Sequence, residues 1–278
     1  MKHTILLTGA SGYVGARVYQ DLKKARYNVT GIYHSNKLFD DLIKADITNA
    51  QEIQDLIYKL KPSVIIHCAA DAHSSTCEND PENAKRLNVE ATSYIAVAAK
   101  KIKAKVVYIS TFGCYTPQNV LHHTKLEAEK IVEKLPNHVI IRASLVVGLS
   151  PNTNGGNYYN DLLLNVKNKQ PIEADTSWEF EMTYLGHLSE IIQTAIDRDG
   201  LKNTLLPVIA FGATSRYQLA KDLLKGSGIK VTPIDQKRTV PIQNINNAIY
   251  KNLNLPTYTY AECLYKMRAE IKIRQHRT

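Results

Sequence analysis

The chain has 278 residues, with 35 Lys and Arg against 26 Asp and Glu, a formal charge of +9, and 44% hydrophobic residues. That length admits one large α/β domain or a domain with a smaller lobe, and ordinary charged and apolar fractions exclude a disordered or fibrous chain. No apolar run approaches the ~20 residues of a membrane span, and the positive charge is spread along the chain, which suits anionic ligands.

In chain order, residues 5–7 read as a buried strand that runs into Gly9, Gly12 and Gly15. A helix over 16–25 follows, with Val14, Val18 and Leu22 on one stripe. A strand that turns through glycines into a helix N-terminus is built for a phosphate, because the first helical N–H groups and the dipole favour an anion. The turn residues Gly9, Ser11, Gly12, Tyr13, Val14 and Gly15 are therefore candidate dinucleotide contacts. Gly9 and Gly12 would let the backbone reach a pyrophosphate, and Gly15 would let the helix pack close to the strand.

A second strand, 28–33, ends in His34, Ser35, Asn36 and Lys37. NAD-selective sites usually place an acid here, on the ribose 2′-OH. The first acid is Asp40. His34, Ser35 and Lys37 suit a 2′-phosphate instead, which favours NADP over NAD. Asp46 and Ile47 end a third strand, 43–47, where they would meet an adenine edge. A helix over 49–60 precedes a wholly apolar strand, 64–70, as a parallel strand covered on both faces should be. Its last residues, Ala69 and Ala70, would let a ribose or nicotinamide lie close.

A long helix over 81–101, a strand over 106–110, a helix over 124–135 and a strand over 139–142 complete the first half. The alternation implies a doubly wound parallel sheet, a Rossmann fold, with right-handed crossovers. The second half is looser. It reads as a polar loop 150–157, a helix 158–169, an irregular stretch 170–184 around Trp178, a helix 186–198, a strand 205–211, a helix 215–225 capped by Thr214 or Ser215, a segment 229–234 and a tail helix 261–273. Residues 1–150 are thus expected to form an NAD(P)-binding domain. Residues 151–278 would form a small C-terminal substrate lobe over the strand ends, with some late segments returning to the core.

The four cysteines show no C-x-x-C pairing, which fits a reduced, cytoplasmic chain. Cys68 and Cys114 read as packing residues. Nine histidines form no ligand set of metal spacing, so no metal is expected. The short N-terminal apolar run flows into the glycine turn and is no signal peptide. The basic tail, 266–277, lacks aromatic interleaving and reads as a solvated helix face, so no nucleic-acid partner is expected.

Taken together, these pieces resemble the extended short-chain dehydrogenase/reductase superfamily, and within it the dTDP-4-dehydrorhamnose reductases and their sugar-nucleotide-binding relatives. The matching stretches are 8–15, 31–35, 67–70, 78–82, 87–92, 107–111 and 124–129 (Thr-Lys-Leu-Glu-Ala-Glu), then 156–158, 215–220 and 241–255. The resemblance implies hydride transfer from NADP(H) to a nucleotide-linked 4-keto sugar. It implies that Thr111 bonds the carbonyl oxygen and that Lys125 binds the nicotinamide ribose and lowers the pKa of a proton-donating tyrosine four residues before it. Asn157, Trp178 and Arg142 fall in places suited to the nucleotide sugar. Helices 81–101 and the one after residue 123 often pair across dimers in this superfamily, which is compatible with a homodimer.

The chain departs from the pattern at the proton donor. The residue four before Lys125 is Leu121, and only residues 112–124 separate Thr111 from Lys125, where relatives carry a longer loop. General acid catalysis contributes about 10²–10⁴-fold in rate, and leucine supplies none. His122 and His123 adjoin the vacant position but sit one or two helical steps of about 100° off its face; Tyr115 is another substitute. Two readings follow: an enzyme with altered acid chemistry, an NADP(H)-dependent reductase or, second to it, an epimerase acting on a nucleotide sugar; or an inactive NADP-binding regulatory or scaffold subunit with a protein partner. The regulatory β subunit of methionine adenosyltransferase, in the same resemblance group, shows the scaffold used that way.

Overall fold

A computed structural model describes residues 3–154, 156–238 and 248–275. The first half contains β1 (Thr4–Thr8), α1 (Tyr13–Lys24), β2 (Asn28–Tyr33), β3 (Ile43–Lys44), α2 (Ala50–Leu60), β4 (Val64–His67), α3 (Ser74–Asn79), α4 (Pro81–Lys85), α5 (Ala91–Ile102), β5 (Lys105–Thr111), α6 (Val120–Val132) and β6 (His138–Ala143). The second contains β7 (Val146–Val147), α7 (Tyr158–Lys167), β8 (Ile172–Asp175), β9 (Glu179–Phe180), β10 (Thr183–Tyr184), α8 (Leu185–Asp197), β11 (Thr204–Val208), β12 (Ala210–Phe211), β13 (Thr214–Ser215), α9 (Arg216–Leu223), β14 (Val231–Ile234), α10 (Ala248–Asn252), β15 (Tyr258–Thr259) and α11 (Tyr260–Gln275).

Seven strands form one parallel sheet in the order β11-β6-β5-β4-β1-β2-β3. The doubly wound Rossmann order reverses between β1 and β4, which opens a crevice beyond their C-terminal ends. Alternate side chains feed two cores. Ile5 and Leu7 point to one face with Val18 and Leu22 of α1 and Leu188 and Ile192 of α8. Leu6 points to the other, with Ile53 and Ile57 of α2 and Ile95 of α5. Residues after 150 divide between two bodies: α8 and β11 join the Rossmann layers, whereas Tyr159, Phe180, Met182, Leu219 and Met267 build a separate core.

The glycine turn explains its own composition. Gly9 has φ +67°, and a Cβ there would lie 2.8 Å from the Ala69 backbone. A Cβ on Gly15 would lie 2.1 Å from the Gly9 carbonyl oxygen, so α1 reaches β1 only because the residue is glycine. Gly15→Ala must displace backbone rather than a flexible side chain. It is expected to destabilise the fold by about 1–3 kcal/mol, read as a lower thermal midpoint; an unchanged midpoint would mean that the turn relaxes freely.

Several elements depart from expectation. The helix expected at 124 begins at Val120, because the Asn119 carboxamide accepts the His122 N–H at 2.9 Å and caps it. The helix expected over 81–101 is α4, a π turn at Arg86–Glu90 and α5. The π turn brings Asn88 inward, where it accepts from the Asp71 N–H and donates to the Asp71 carbonyl and the Thr124 hydroxyl. The third strand stops at Lys44, since Asp46 turns the chain by accepting from the Thr48 backbone and hydroxyl. The stretch 170–184 is not irregular: β8, β9 and β10 pair with β14, β13 and β7. The strand expected at 205–211 breaks at Ile209, whose N–H is taken by the Tyr250 hydroxyl. Residues 241–247 of the stretch 241–255 lie outside the described residues, as does the end of the basic tail.

Candidate functional site

A cavity of about 1070 Å³ opens at the C-terminal ends of β1, β4, β5 and β6 and runs under the second body. Gly9, Gly12, Tyr13, Val14 and Gly15 line one end of it, with Ala70 beside them. Gly12 is the N-cap of α1 and has no side chain to satisfy the first helical N–H groups. Those donors face the cavity end with the positive pole of the helix. Ser11 is not in the wall; its carbonyl accepts from the Asn152 side chain at 2.7 Å. Ala69 packs under Gly9 and gives its N–H to the Thr8 hydroxyl.

His34, Ser35 and Lys37 are exposed at the end of β2. His34 Nδ1 lies 2.8 Å from the Ser35 hydroxyl, and its Nε2 lies 3.9 Å from Asp46 Oδ2. Asp46 thus stands beside the cluster with one carboxylate oxygen held by Thr48. The Ile47 side chain is buried in the core, so its backbone is the part left to meet an adenine edge.

Thr111 and Lys125 share the middle of the cavity wall. Thr111 ends β5, and its hydroxyl accepts from the Gly113 N–H at 3.3 Å, leaving the O–H free to donate into the cavity. Lys125 is 5% exposed and donates to the Ile109 carbonyl at 2.7 Å, with the ring of Tyr108 4.1 Å below its ammonium. Burial pulls its pKa down to about 8. Behind it, His67 lies between the hydroxyls of Thr8 (2.7 Å) and Thr92 (3.0 Å); burial, then the Lys125 charge, lower its pKa to about 3 and hold it neutral.

Leu121 lies one turn before Lys125 on the same face of α6, in the cavity wall and against Cys77, Ala84 and Val120. No hydroxyl stands in its place. The two histidines diverge. His122 lines the cavity, whereas His123 is exposed outside it. Tyr115 is not in the wall; its ring lies 4.2 Å under the Arg142 guanidinium. Arg142 itself is a correction. Its guanidinium binds Glu129 in two contacts of 2.6 and 3.0 Å, both residues buried, so it does not reach a ligand.

At the far end stand Asn157 and Trp178. The Asn157 side-chain oxygen caps α7, accepting from Tyr159 N–H at 3.0 Å, so only its amide N–H₂ is free to donate outward. Trp178 packs on Phe180 at 4.8 Å and has two guanidinium groups near its ring, Arg216 at 5.3 Å and Arg238 at 5.8 Å. Burial and the neighbouring Arg238 charge lower the Arg216 pKa, against the pull of the Asp175 carboxylate, which lies 3.5 Å from Arg238 Nε. Sequence reasoning missed both arginines; they are 22 residues apart and meet only through tertiary packing. Glu181, in the same wall, has its carboxyl raised by burial. Among the described residues no cluster of His, Cys, Asp and Glu could hold a metal, and no helix is long and apolar enough to cross a membrane.

The family model for the RmlD substrate binding domain matches residues 1–255. The chain is 28% identical over 160 residues to methionine adenosyltransferase 2 subunit beta of Bos taurus, covering 52% of this chain and 47% of that protein. It is 29% identical over 185 residues to dTDP-4-dehydrorhamnose reductase of Salmonella typhimurium, covering 61% and 59%. The aligned part thus spans about half the length of the first of these curated relatives. Among solved structures, dTDP-4-dehydrorhamnose reductase from Bacillus anthracis, in complex with NADP, superposes with a TM-score of 0.82 at 25% identity over 97% of this chain and 100% of that one.

Proposed function

We infer that this chain, which belongs to the RmlD substrate binding domain family, is an NADP(H)-binding reductase acting on a nucleotide-linked 4-keto sugar. One observation carries the reading: a single cavity joins the glycine turn, Thr111 with Lys125, and the Trp178 wall. A dinucleotide at one end and a nucleotide sugar at the other would meet at Thr111. The reductase relative solved with NADP supports the choice of cofactor.

The residues present fit that cofactor, since α1 starts at the cavity with Gly12 as its N-cap and no side chain bonds its first N–H groups. When bound, a nicotinamide dinucleotide supplies the hydride. The chain's own residues do the rest. The turn from Gly9 to Gly15 would hold the pyrophosphate through its backbone N–H groups; Ser11, outside the wall, could offer only its backbone N–H from behind it. His34, Ser35 and Lys37 hold a 2′-phosphate; Asp46 faces the adenine. Ala69 and Ala70 leave room for the nicotinamide riboside. Lys125 keeps two ammonium protons for the ribose hydroxyls beyond the one given to Ile109. The Thr111 hydroxyl donates to the sugar carbonyl. Asn157 and Trp178 hold the nucleotide sugar, and Arg216 with Arg238 meets its negative charge.

A second reading, an NADP-binding regulatory subunit with a protein partner, is favoured by Leu121 and by the relatives named as a subunit. Turnover separates the two. The reductase reading expects NADPH consumption with at least one 4-keto nucleotide sugar of a panel, lost in Lys125→Met and Thr111→Val. NADPH binding with no consumption across the panel selects the regulatory reading. For the cofactor, Lys37→Ala is expected to weaken NADPH by about 10-fold, as loss of one charge-assisted hydrogen bond would, and to leave NADH unchanged in a fluorescence titration. Equal weakening of both would refute the 2′-phosphate role.

A further inference from the structure

We propose that His122 takes over part of the missing tyrosine's work, as a neutral imidazole whose Nε2–H donates a hydrogen bond to the carbonyl oxygen of the substrate. The proposal rests on the reductase reading above.

Three contacts orient the ring. The Gln118 backbone N–H lies 3.3 Å from His122 Nδ1 and can only donate to it. That makes Nδ1 the acceptor and places the ring proton on Nε2. Asn119 Nδ2, an amino group because the Asn119 oxygen caps α6, lies 3.5 Å from Nε2 and is a donor as well. Both ring nitrogens thus face donors, and the shorter contact, from the fixed backbone N–H of Gln118, assigns Nδ1 as the acceptor. Among the described residues no acceptor takes the Nε2 proton, and the residue lines the cavity.

The third contact fixes the position. The Cδ2–Nε2 edge of the ring rests on Gly113, where an added Cβ would lie 2.1 Å from Cδ2 and 2.2 Å from Nε2. Gly113 is the residue whose N–H binds the Thr111 hydroxyl. The ring edge and the carbonyl-binding threonine are thus adjacent through one glycine. Burial, then the His123 charge, lower the His122 pKa, which keeps the ring in the neutral form.

In this role the ring loses no proton. The carbonyl carbon gains the hydride, the π pair moves to oxygen, and the oxygen takes its proton from a water molecule, leaving hydroxide. Water has a route, because the exposed Thr116 and Gln118 form part of the cavity rim. Two donors, Thr111 and His122, then stabilise the charge that develops on oxygen.

Two measurements test the assignment. Long-range ¹⁵N–¹H correlation on histidine-labelled full-length protein should show His122 as the Nε2–H tautomer near neutral pH; an Nδ1–H tautomer overturns the proposal without reference to activity. In steady-state kinetics with NADPH and a 4-keto nucleotide sugar, His122→Ala should lower kcat about 10²-fold, the typical loss for one oxyanion donor, with little change in KM. Gly113→Ala, which displaces the ring and leaves the histidine in place, should lower kcat in parallel, while Tyr115→Phe should leave it unchanged. Turnover that survives both His122→Ala and Gly113→Ala overturns the His122 role alone. No turnover by the unsubstituted protein overturns the reductase reading and this role with it.

Discussion

Leu121→Tyr is expected to raise turnover of a 4-keto nucleotide sugar by about 10²–10⁴-fold, the usual contribution of a positioned general acid. Position 121 already meets the geometric requirement. It lies one turn before Lys125 on the same face of α6 and borders the cavity. A phenol there would stand near a buried ammonium, which lowers the phenol pKa toward the working range. The added ring has room on the cavity side, since Leu121 packs on only a small cluster of Cys77, Ala84 and Val120. Leu121→Phe is the control: it adds the ring without the hydroxyl and should give no gain. The gain should also make His122 redundant, so His122→Ala should cost much less in the Leu121→Tyr background than alone. Equal rates for the Tyr and Phe variants would show that the scaffold lost more than its acid.

Where the sequence was informative, the signal was local. The glycine turn announced itself because spacing, preceding strand and following helix all lie within 25 residues. The parallel sheet followed from apolar runs separated by helical periods. Thr111 and Lys125 were found through the family resemblance, and the structure places both in one wall. What stayed hidden depended on phase or on distance. His122 could be placed only once the start of α6 was known. A helix beginning at Thr124 leaves both histidines in a loop, whereas the Asn119 cap sets the phase that turns His122 inward and His123 outward. The Asn119 cap is itself a readable signal, an asparagine just before a helical run, that the later apolar stripe concealed. Arg216 lies in the family-like stretch 215–220 but was not singled out within it, and Arg238 has no distinctive neighbour in sequence; both acquire meaning only from the Trp178 ring they share. The short strands β8, β9 and β10 escaped for a related reason: two to four residues are too few to show a period of two.

Arg142→Leu is expected to cost about 3–5 kcal/mol, as breaking a buried ion pair from one side does. The side chain of Glu129 is 1% exposed, and its oxygens bind Arg142 Nη2 and Nε and the Ser110 hydroxyl. Removing the guanidinium strands a carboxylate that water cannot reach. For a chain of this size the loss corresponds to a thermal midpoint lower by roughly 10 °C. Replacing both partners, in Glu129→Leu with Arg142→Leu, removes the stranded charge and should recover most of the loss, because two apolar side chains can fill the same volume. A double variant as unstable as the sum of the singles would mean that the pair's hydrogen bonds, not its unpaired charge, dominate. The pair also bears on the site. Ser110 and Thr111 are successive residues at the end of β5, so their side chains point to opposite faces. Ser110 is tied to Glu129 on one side while Thr111 faces the cavity on the other. Arg142→Leu frees Glu129 to move and loosens that tie, so it should lower kcat below what its unfolded fraction explains, and the double variant, which loses the Ser110 tie together with Glu129, should regain stability without regaining rate.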